Sequence, residues 1–295
     1  MQREITQEMA KDCLPRREAD ANKGSFGSVL AAAGSMAYRG AAALCTEGAL
    51  RAGAGLVYLA SVEPVVQMVL TRTPECCACG CRTAANGGIH PQDAGALRSW
   101  FDGKNTVLLA GPGLGESAAP VCNALLGKKA PWSAAVLDAD ALNALAAGKI
   151  KGPLPDQTVI TPHPGEAARL LDCTVGEVQA DREAAARRLA GMYHCIAVLK
   201  GRGTLIATPG GEVYHNPTGS AGLAKGGSGD ILAGLLSGLL AAGLKQGRTA
   251  EDAAIAAVWL HGAAGDRCAK RLGMAAMLPH DIFADLGAIF AELER

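Results

Sequence analysis

Residues 218 to 244 read TGSAGLAKGGSGDILAGLLSGLLAAGL, and this stretch restricts the possible folds more than any other. Ile231 to Leu244 carries no charge and spaces Leu and Ala as a helix does, so the helix has no polar face for water and must be enclosed by protein. Gly222 to Gly229 is too rich in glycine for regular structure, so a loop feeds the start of a buried helix. The first turn of a helix has N–H groups without internal partners, and with the helix dipole these place about half a positive charge there. Such a start binds anions. Gly226, Gly227 and Gly229 lack a Cβ, which lets phosphate oxygens reach the backbone itself. A first-turn carboxylate such as Asp230 is ordinarily a stabiliser of the dipole. Here it follows a phosphate-sized loop and precedes a helix too apolar for the surface, so it sits in or beside whatever the loop binds. A base beside a phosphate points to phosphoryl transfer to a hydroxyl.

The rest of the chain alternates. Apolar strand-like segments at Ser28–Ala33, Gly55–Ala60, Thr106–Ala110, Ala134–Leu137, Thr158–Ile160 and Cys195–Leu199 are separated by helical stretches at Ala41–Arg51, Pro91–Trp100, Ala118–Leu126, Ala141–Ala147, Gly165–Leu171 and Gly176–Ala190. The alternation predicts an α/β fold, a mainly parallel central sheet with helices on both faces. Beyond Leu199 the texture changes. Gly203–Thr208 and Glu212–His215 read as a hairpin turned at Pro209-Gly210-Gly211, and three helices near Ser228–Leu244, Ala250–Leu272 and His280–Leu293 close the chain. With 295 residues, 49% of them hydrophobic, there is ample core, and no Pro/Ser-rich linker or charge run divides it.

Equal counts of basic and acidic residues, 28 each, argue against nucleic acid or an anionic membrane as the main partner, so recognition of phosphate must be local. The uncharged run most suggestive of a membrane, Ile231–Leu244, is short of the roughly 20 residues needed to span one. Met1 to Ala10 carries Arg3, Glu4 and Glu8 and lacks the apolar core of a signal peptide, so a cytoplasmic enzyme is expected. Of ten cysteines, Cys76, Cys77, Cys79 and Cys81 crowd into PECCACGC. Neither C-C nor C-x-C has a partner Cys or His pair at zinc spacing. The cluster reads as reduced, small-hydrophobe cysteines sensitive to oxidation.

Ligands of such sheets bind beyond the carboxyl ends of the strands, and the polar and glycine motifs fall there. Gly111-Pro112-Gly113-Leu114-Gly115 follows Thr106–Ala110 as a tight turn or a ligand loop. Asp138 ends the next strand and is a ligand-facing candidate, whereas Asp140 is expected to cap the following helix. After Thr158–Ile160, two prolines fix His163 within TPHPGE. Glu166 falls in a first helical turn, where capping competes with an indirect role near magnesium. Lys200-Gly201-Arg202-Gly203-Thr204 follows Cys195–Leu199. Its lysine is either a solvated turn residue or a phosphate partner backed by loop N–H groups, and with Gly226 to Asp230 it becomes a nucleotide site. Near the start, the small residues of Arg39-Gly40-Ala41-Ala42 and of Arg51 to Val57 allow close packing of helix on strand.

GGSGDILAG resembles the anion-hole motif of ribokinase-like kinases. Over nearly its full length the chain is similar to the ADP/ATP-dependent NAD(P)H-hydrate dehydratases of that superfamily: KGSFG, GAAxL, RAGAGLV, GPGLG, LDADALN, TPHPGE, LKGxxTLIA, NPTG and GGSGDILAG stand in the family's order. The resemblance implies a three-layer ribokinase-like fold and one dehydratase domain over residues 1–295. No second α/β pattern precedes Lys23, so the epimerase domain of fused members is expected to be separate. It further implies Asp230 as catalytic base and hydrate contact, with Ala42, Gly113 and His163 lining the hydrate pocket. Lys200, Gly201, Arg202, Gly203, Thr204, Gly226, Gly227, Ser228 and Gly229 would hold the nucleotide. Lys225 stands where many relatives carry Thr. The co-substrate implied is ADP, or ATP, with Mg²⁺ on its phosphates. The partners implied are the hydrates of NADH and NADPH, copies of the chain in a homotetramer, and a separate epimerase acting on the same hydrates. The alternative is a ribokinase-like small-molecule kinase acting on a vitamin-like or sugar alcohol, which shares Asp230 and the glycine loop but stops at the phosphate ester.

Overall fold

A computed structural model describes residues 2–101, 105–127 and 129–294. Ten strands among them form one sheet: β1 (Gln2–Glu4), β2 (Ser28–Ala32), β3 (Leu56–Val62), β4 (Cys77–Cys81), β5 (Thr106–Ala110), β6 (Ala134–Leu137), β7 (Thr158–Ile160), β8 (Ile196–Leu199), β9 (Leu205–Ala207) and β10 (Val213–His215). Their spatial order is β1-β10-β9-β8-β7-β6-β5-β2-β3-β4. From β4 to β8 every pairing is parallel. β9 is antiparallel to both β8 and β10, and β1 joins β10 in parallel.

The central strands are apolar runs because both their faces are covered. On one face Val29, Ala31, Val107 and Leu109 pack beneath the helices Arg39–Arg51, Ser228–Leu244 and Ala250–Leu272. On the other, Leu30, Ala32, Leu108 and Ala110 pack beneath Pro91–Trp100, Ala118–Leu125, Asp140–Ala146, Pro164–Leu171 and Arg182–Tyr193. The three-layer α/β architecture expected from the alternation is observed. No helix among the described residues is long and apolar enough to cross a membrane.

Two expectations change. The stretch 176–190 is two helices, Val175–Ala180 and Arg182–Tyr193, because Asp181 leaves helical geometry and its carboxylate caps the N–H of Ala184. The cysteine cluster forms edge strand β4 with Cys76 just before it, and Cys76, Cys79 and Cys81 are buried. Burial pushes the Cys76 and Cys81 thiols up to about 12, which keeps them protonated and unreactive. The oxidation sensitivity expected of the cluster does not extend to these two.

Candidate active site

Ser228–Leu244 is an apolar helix enclosed by protein from Ile231 to Gly243. It lies parallel to Arg39–Arg51, the two meeting from Gly227 beside Leu44 to Gly238 beside Ala49. The approach is so close that a Cβ on Gly234 would fall 2.2 Å from the Cys45 carbonyl oxygen. Both helices therefore begin at the same edge of the sheet, beyond the carboxyl ends of β2, β5, β6, β7 and β8.

Neither start is fully capped. Tyr38 and Gly227, the residues before each, supply no side-chain cap. Among the described residues the N–H groups of Arg39 to Ala41, and of Gly229 and Asp230, have no hydrogen-bond acceptor. Ser228 differs. Its N–H donates to the Lys225 carbonyl at 3.3 Å and its hydroxyl lies 3.3 Å from His261 Nε2, so both its polar groups are engaged. Burial pushes His261 down to about 4, which leaves it neutral behind the loop.

Asp230 stands in the first turn with no hydrogen bond to its carboxylate from any described residue. Burial and then the nearby Asp138 push it up to about 6, against the pull of Lys200. Lys200 leaves the end of β8 and donates from Nζ to Asp138 Oδ1 at 2.7 Å, with Glu166 Oε2 at 3.9 Å. A Cβ on Gly229 would sit 3.3 Å from that ammonium, so the bare glycine is what allows the lysine against the helix start. Burial opposes the Lys200 charge, but Asp138, Glu166 and Asp230 outweigh it and hold its pKa above the ordinary lysine value.

Asp138 is 2% exposed and also accepts from the Thr161 hydroxyl at 2.7 Å. Glu166 does two things at once. Its Oε2 accepts the His163 N–H at 2.8 Å, completing a capping box, while burial pushes its carboxyl up to about 7 beside Lys200. His163 Nδ1 accepts from the Gly165 N–H at 3.0 Å, which assigns the ring proton to Nε2, 3.5 Å from Glu166 Oε1. Burial, then Lys200, hold the His163 pKa below its usual value.

The loop of Lys200, Gly201, Arg202, Gly203 and Thr204 is clamped from below by Arg182, whose guanidinium donates to the carbonyls of Leu199, Lys200 and Gly203. Arg202 is exposed at the tip, and Gly226 is exposed beside the helix start. Ala42 has a fully buried methyl in the first turns of the helix Arg39–Arg51. Gly113 packs on Tyr38, and Gly115 donates its N–H to Asp140 Oδ2 at 2.8 Å. Asp140 thus pins the glycine loop after β5 rather than capping its own helix, whose N-cap is Ala139. Lys225 spends its ammonium on the carbonyls of Ala275 and Met277, tying the glycine-rich loop to the segment after helix Ala250–Leu272.

Arg182 and His261 were invisible to motif reading. Each acts on a loop distant in sequence, and neither sits in a glycine-rich or proline-rich context at a strand end. The sequence does bring Asp230, Lys200, Asp138, Glu166 and His163 to one place, with a free base between a positive helix start and a lysine. That is the equipment of phosphoryl transfer to a hydroxyl.

The architecture is that of the ribokinase-like superfamily. A family model described as NAD(P)H-hydrate dehydratase matches residues 29–287. The chain belongs to that family. It is 38% identical over 266 residues to the ADP-dependent (S)-NAD(P)H-hydrate dehydratase of Neisseria meningitidis, covering 89% of this chain and 84% of the relative. It is 40% identical over 299 residues to the bifunctional NAD(P)H-hydrate repair enzyme of Moorella thermoacetica, covering 99% of this chain and 54% of the relative. It spans about half the length of several such bifunctional relatives. Among solved structures it is similar to the ADP/ATP-dependent NAD(P)H-hydrate dehydratase of Bacillus subtilis co-crystallized with ATP and Mg²⁺, with a TM-score of 0.84, 30% identity and 99% of each chain covered.

Proposed function

We propose that the chain, acting as one domain over residues 1–295, dehydrates the S epimer of hydrated NADH or NADPH using ADP and gives AMP and phosphate. The observation that carries this reading is Asp230: an unbonded carboxylate with a pKa near 6, set between free helix N–H groups and the Lys200 ammonium. Its ionised form takes the proton from the ring hydroxyl, whose oxygen attacks the terminal phosphorus of ADP. The bond to the bridging oxygen breaks and AMP leaves, while the Gly229 N–H and Lys200 balance the charge on the transferred group. Expulsion of phosphate from the resulting ester, pushed by the ring nitrogen lone pair, leaves an iminium, and loss of a proton from the adjacent ring carbon restores the dihydronicotinamide. The sum is hydrate plus ADP giving reduced dinucleotide, AMP, phosphate and a proton.

Among the described residues no three or more His, Cys, Asp or Glu side chains form a metal cage, and Asp138 is already paired with Lys200. That donor set fits Mg²⁺ held chiefly by nucleotide phosphates, with Glu166 as the nearby protein carboxylate, where it would supply neutralisation of phosphate charge. The reading extends to a cytoplasmic homotetramer that works alongside an epimerase acting on the same hydrates, as the fused relatives suggest.

The test is recovery of reduced-nicotinamide absorbance from chemically hydrated NADH with ADP, ATP or neither, together with AMP release. Recovery with ADP supports the reading. No recovery with either nucleotide overturns it, and accumulation of a phosphate ester without reduced nicotinamide points to the kinase alternative.

A further inference from the structure

The loop between β2 and the helix Arg39–Arg51 carries side chains that the mechanism leaves unused. Tyr38 is 58% exposed and Met36 41%, in a protein that buries most of its large apolar side chains. The Tyr38 ring is not loose. A Cβ on Gly113 would lie 2.8 Å from both Tyr38 Cβ and its carbonyl oxygen, and one on Gly115 would lie 4.0 Å from the ring edge. Because Asp140 holds the Gly115 N–H, the platform under the ring is fixed. Met36 is anchored by its N–H to the Gly87 carbonyl at 2.9 Å. Arg39 folds back over Met36, Nε to the carbonyl oxygen at 3.3 Å and a terminal nitrogen to Sδ at 3.7 Å. No carboxylate among the described residues pairs with its guanidinium.

Sheet order says which co-substrate this shelf can meet. β2 lies four strand spacings from β8, the strand that ends at Lys200, which is about 19 Å at the usual 4.8 Å per strand. Tyr38 and Arg39 are therefore remote from the Lys200 loop and lie on the other side of Asp230, which faces Lys200 and Asp138. The second co-substrate of the proposed reaction is a dinucleotide, which presents ring faces and a pyrophosphate. An aromatic ring on a rigid platform suits the first, and a planar guanidinium without an acidic partner suits the second.

We propose that Tyr38 and Arg39 form the recognition shelf for the hydrated dinucleotide, Tyr38 packing on a ring face and Arg39 pairing with the pyrophosphate. The assignment rests on the dehydratase reading. It is tested by steady-state kinetics of wild type, Tyr38→Phe, Tyr38→Ala and Arg39→Gln, varying the hydrate at saturating ADP and ADP at saturating hydrate. Loss of a charge-assisted bond raises the hydrate KM about tenfold or more in Arg39→Gln. Loss of the ring raises it about three- to tenfold in Tyr38→Ala, and Tyr38→Phe stays at the wild-type value. The ADP KM is unchanged in all three. Added salt raises the hydrate KM of Tyr38→Ala as it does that of wild type, and less so that of Arg39→Gln. An unchanged hydrate KM in Arg39→Gln and Tyr38→Ala, or a rise in the ADP KM instead, overturns the shelf while hydrate turnover by wild type keeps the reaction. Wild type that turns over no hydrate removes the reaction and the shelf together.

Discussion

The helices Arg39–Arg51 and Ser228–Leu244 start side by side, run parallel and bring unpaired N–H groups to one cleft, yet only one of them carries an acid in its first turn. The Arg39 start is edged by exposed Tyr38 and backed by the buried methyl of Ala42. The Ser228 start holds Asp230 against Lys200 and Asp138. A helix start alone attracts anions equally at both. The difference lies in a carboxylate made basic against its surroundings, and on the proposed mechanism the chemistry comes from it: the dipole alone would favour the ionised form of Asp230, but burial and Asp138 override it.

The sharpest break of this comparison is Asp230→Asn, which makes the two starts alike. Turnover should fall by about two to four orders of magnitude, the range of a positioned general base. Stability should not fall with it. A carboxyl whose folded pKa lies above its unfolded one loses stability as pH rises from 3.8 to about 6, so at neutral pH ionised Asp230 is a cost that Asn removes. Near-normal AMP release, or a lowered melting temperature with normal turnover, would return Asp230 to the role of an ordinary dipole stabiliser. Next in size is Lys200→Ala. The ADP dissociation constant should rise about ten- to a hundredfold, as expected for a charge-assisted phosphate contact, and an unchanged constant removes Lys200 from the nucleotide side. Gly234→Ala tests the pairing itself. With a Cβ 2.2 Å from the Cys45 carbonyl oxygen the helices must part, at about 1–3 kcal/mol of stability measured by denaturant unfolding. A variant as stable as wild type would mean the contact yields freely.

How much of this the sequence disclosed depends on where each signal resides. β5, β6 and β7 and the helix Ser228–Leu244 match the sequence reading to the residue, because buried parallel strands and a helix uncharged from Ile231 onward are continuous apolar runs. β4 escaped because CACGC has little of the β-branched or aromatic character of a strand, and β1 because Gln2–Glu4 has no apolar residue at all. In the candidate site, Asp230, Lys200, His163 and Glu166 were legible because each follows a strand or opens a helix in a glycine or proline context, and Asp138 because it ends a strand. Arg182 and His261 were not. Their functions exist only through the fold, which brings them to loops 18 and 33 residues away in sequence.

The smallest expected effect concerns pH, and it separates the two carboxylates that burial has raised. With ionised Asp230 as the base of the proposed mechanism, turnover should fall as pH drops through about 6, to roughly half at that pH if Asp230 alone sets the limb. Glu166, raised to about 7, titrates in a neighbouring window, and its protonation would leave Lys200 with one fewer anionic neighbour. The limb could therefore belong to either group. Glu166→Gln removes that ambiguity, since the amide oxygen can still accept the His163 N–H but has no proton to gain. If the base is Asp230, the variant keeps an acid limb centred near 6, because burial and Asp138 remain its dominant perturbers. A limb that vanishes in Glu166→Gln would assign the titration to Glu166 and leave Asp230 ionised throughout, contrary to the burial that distinguishes its helix start from the other.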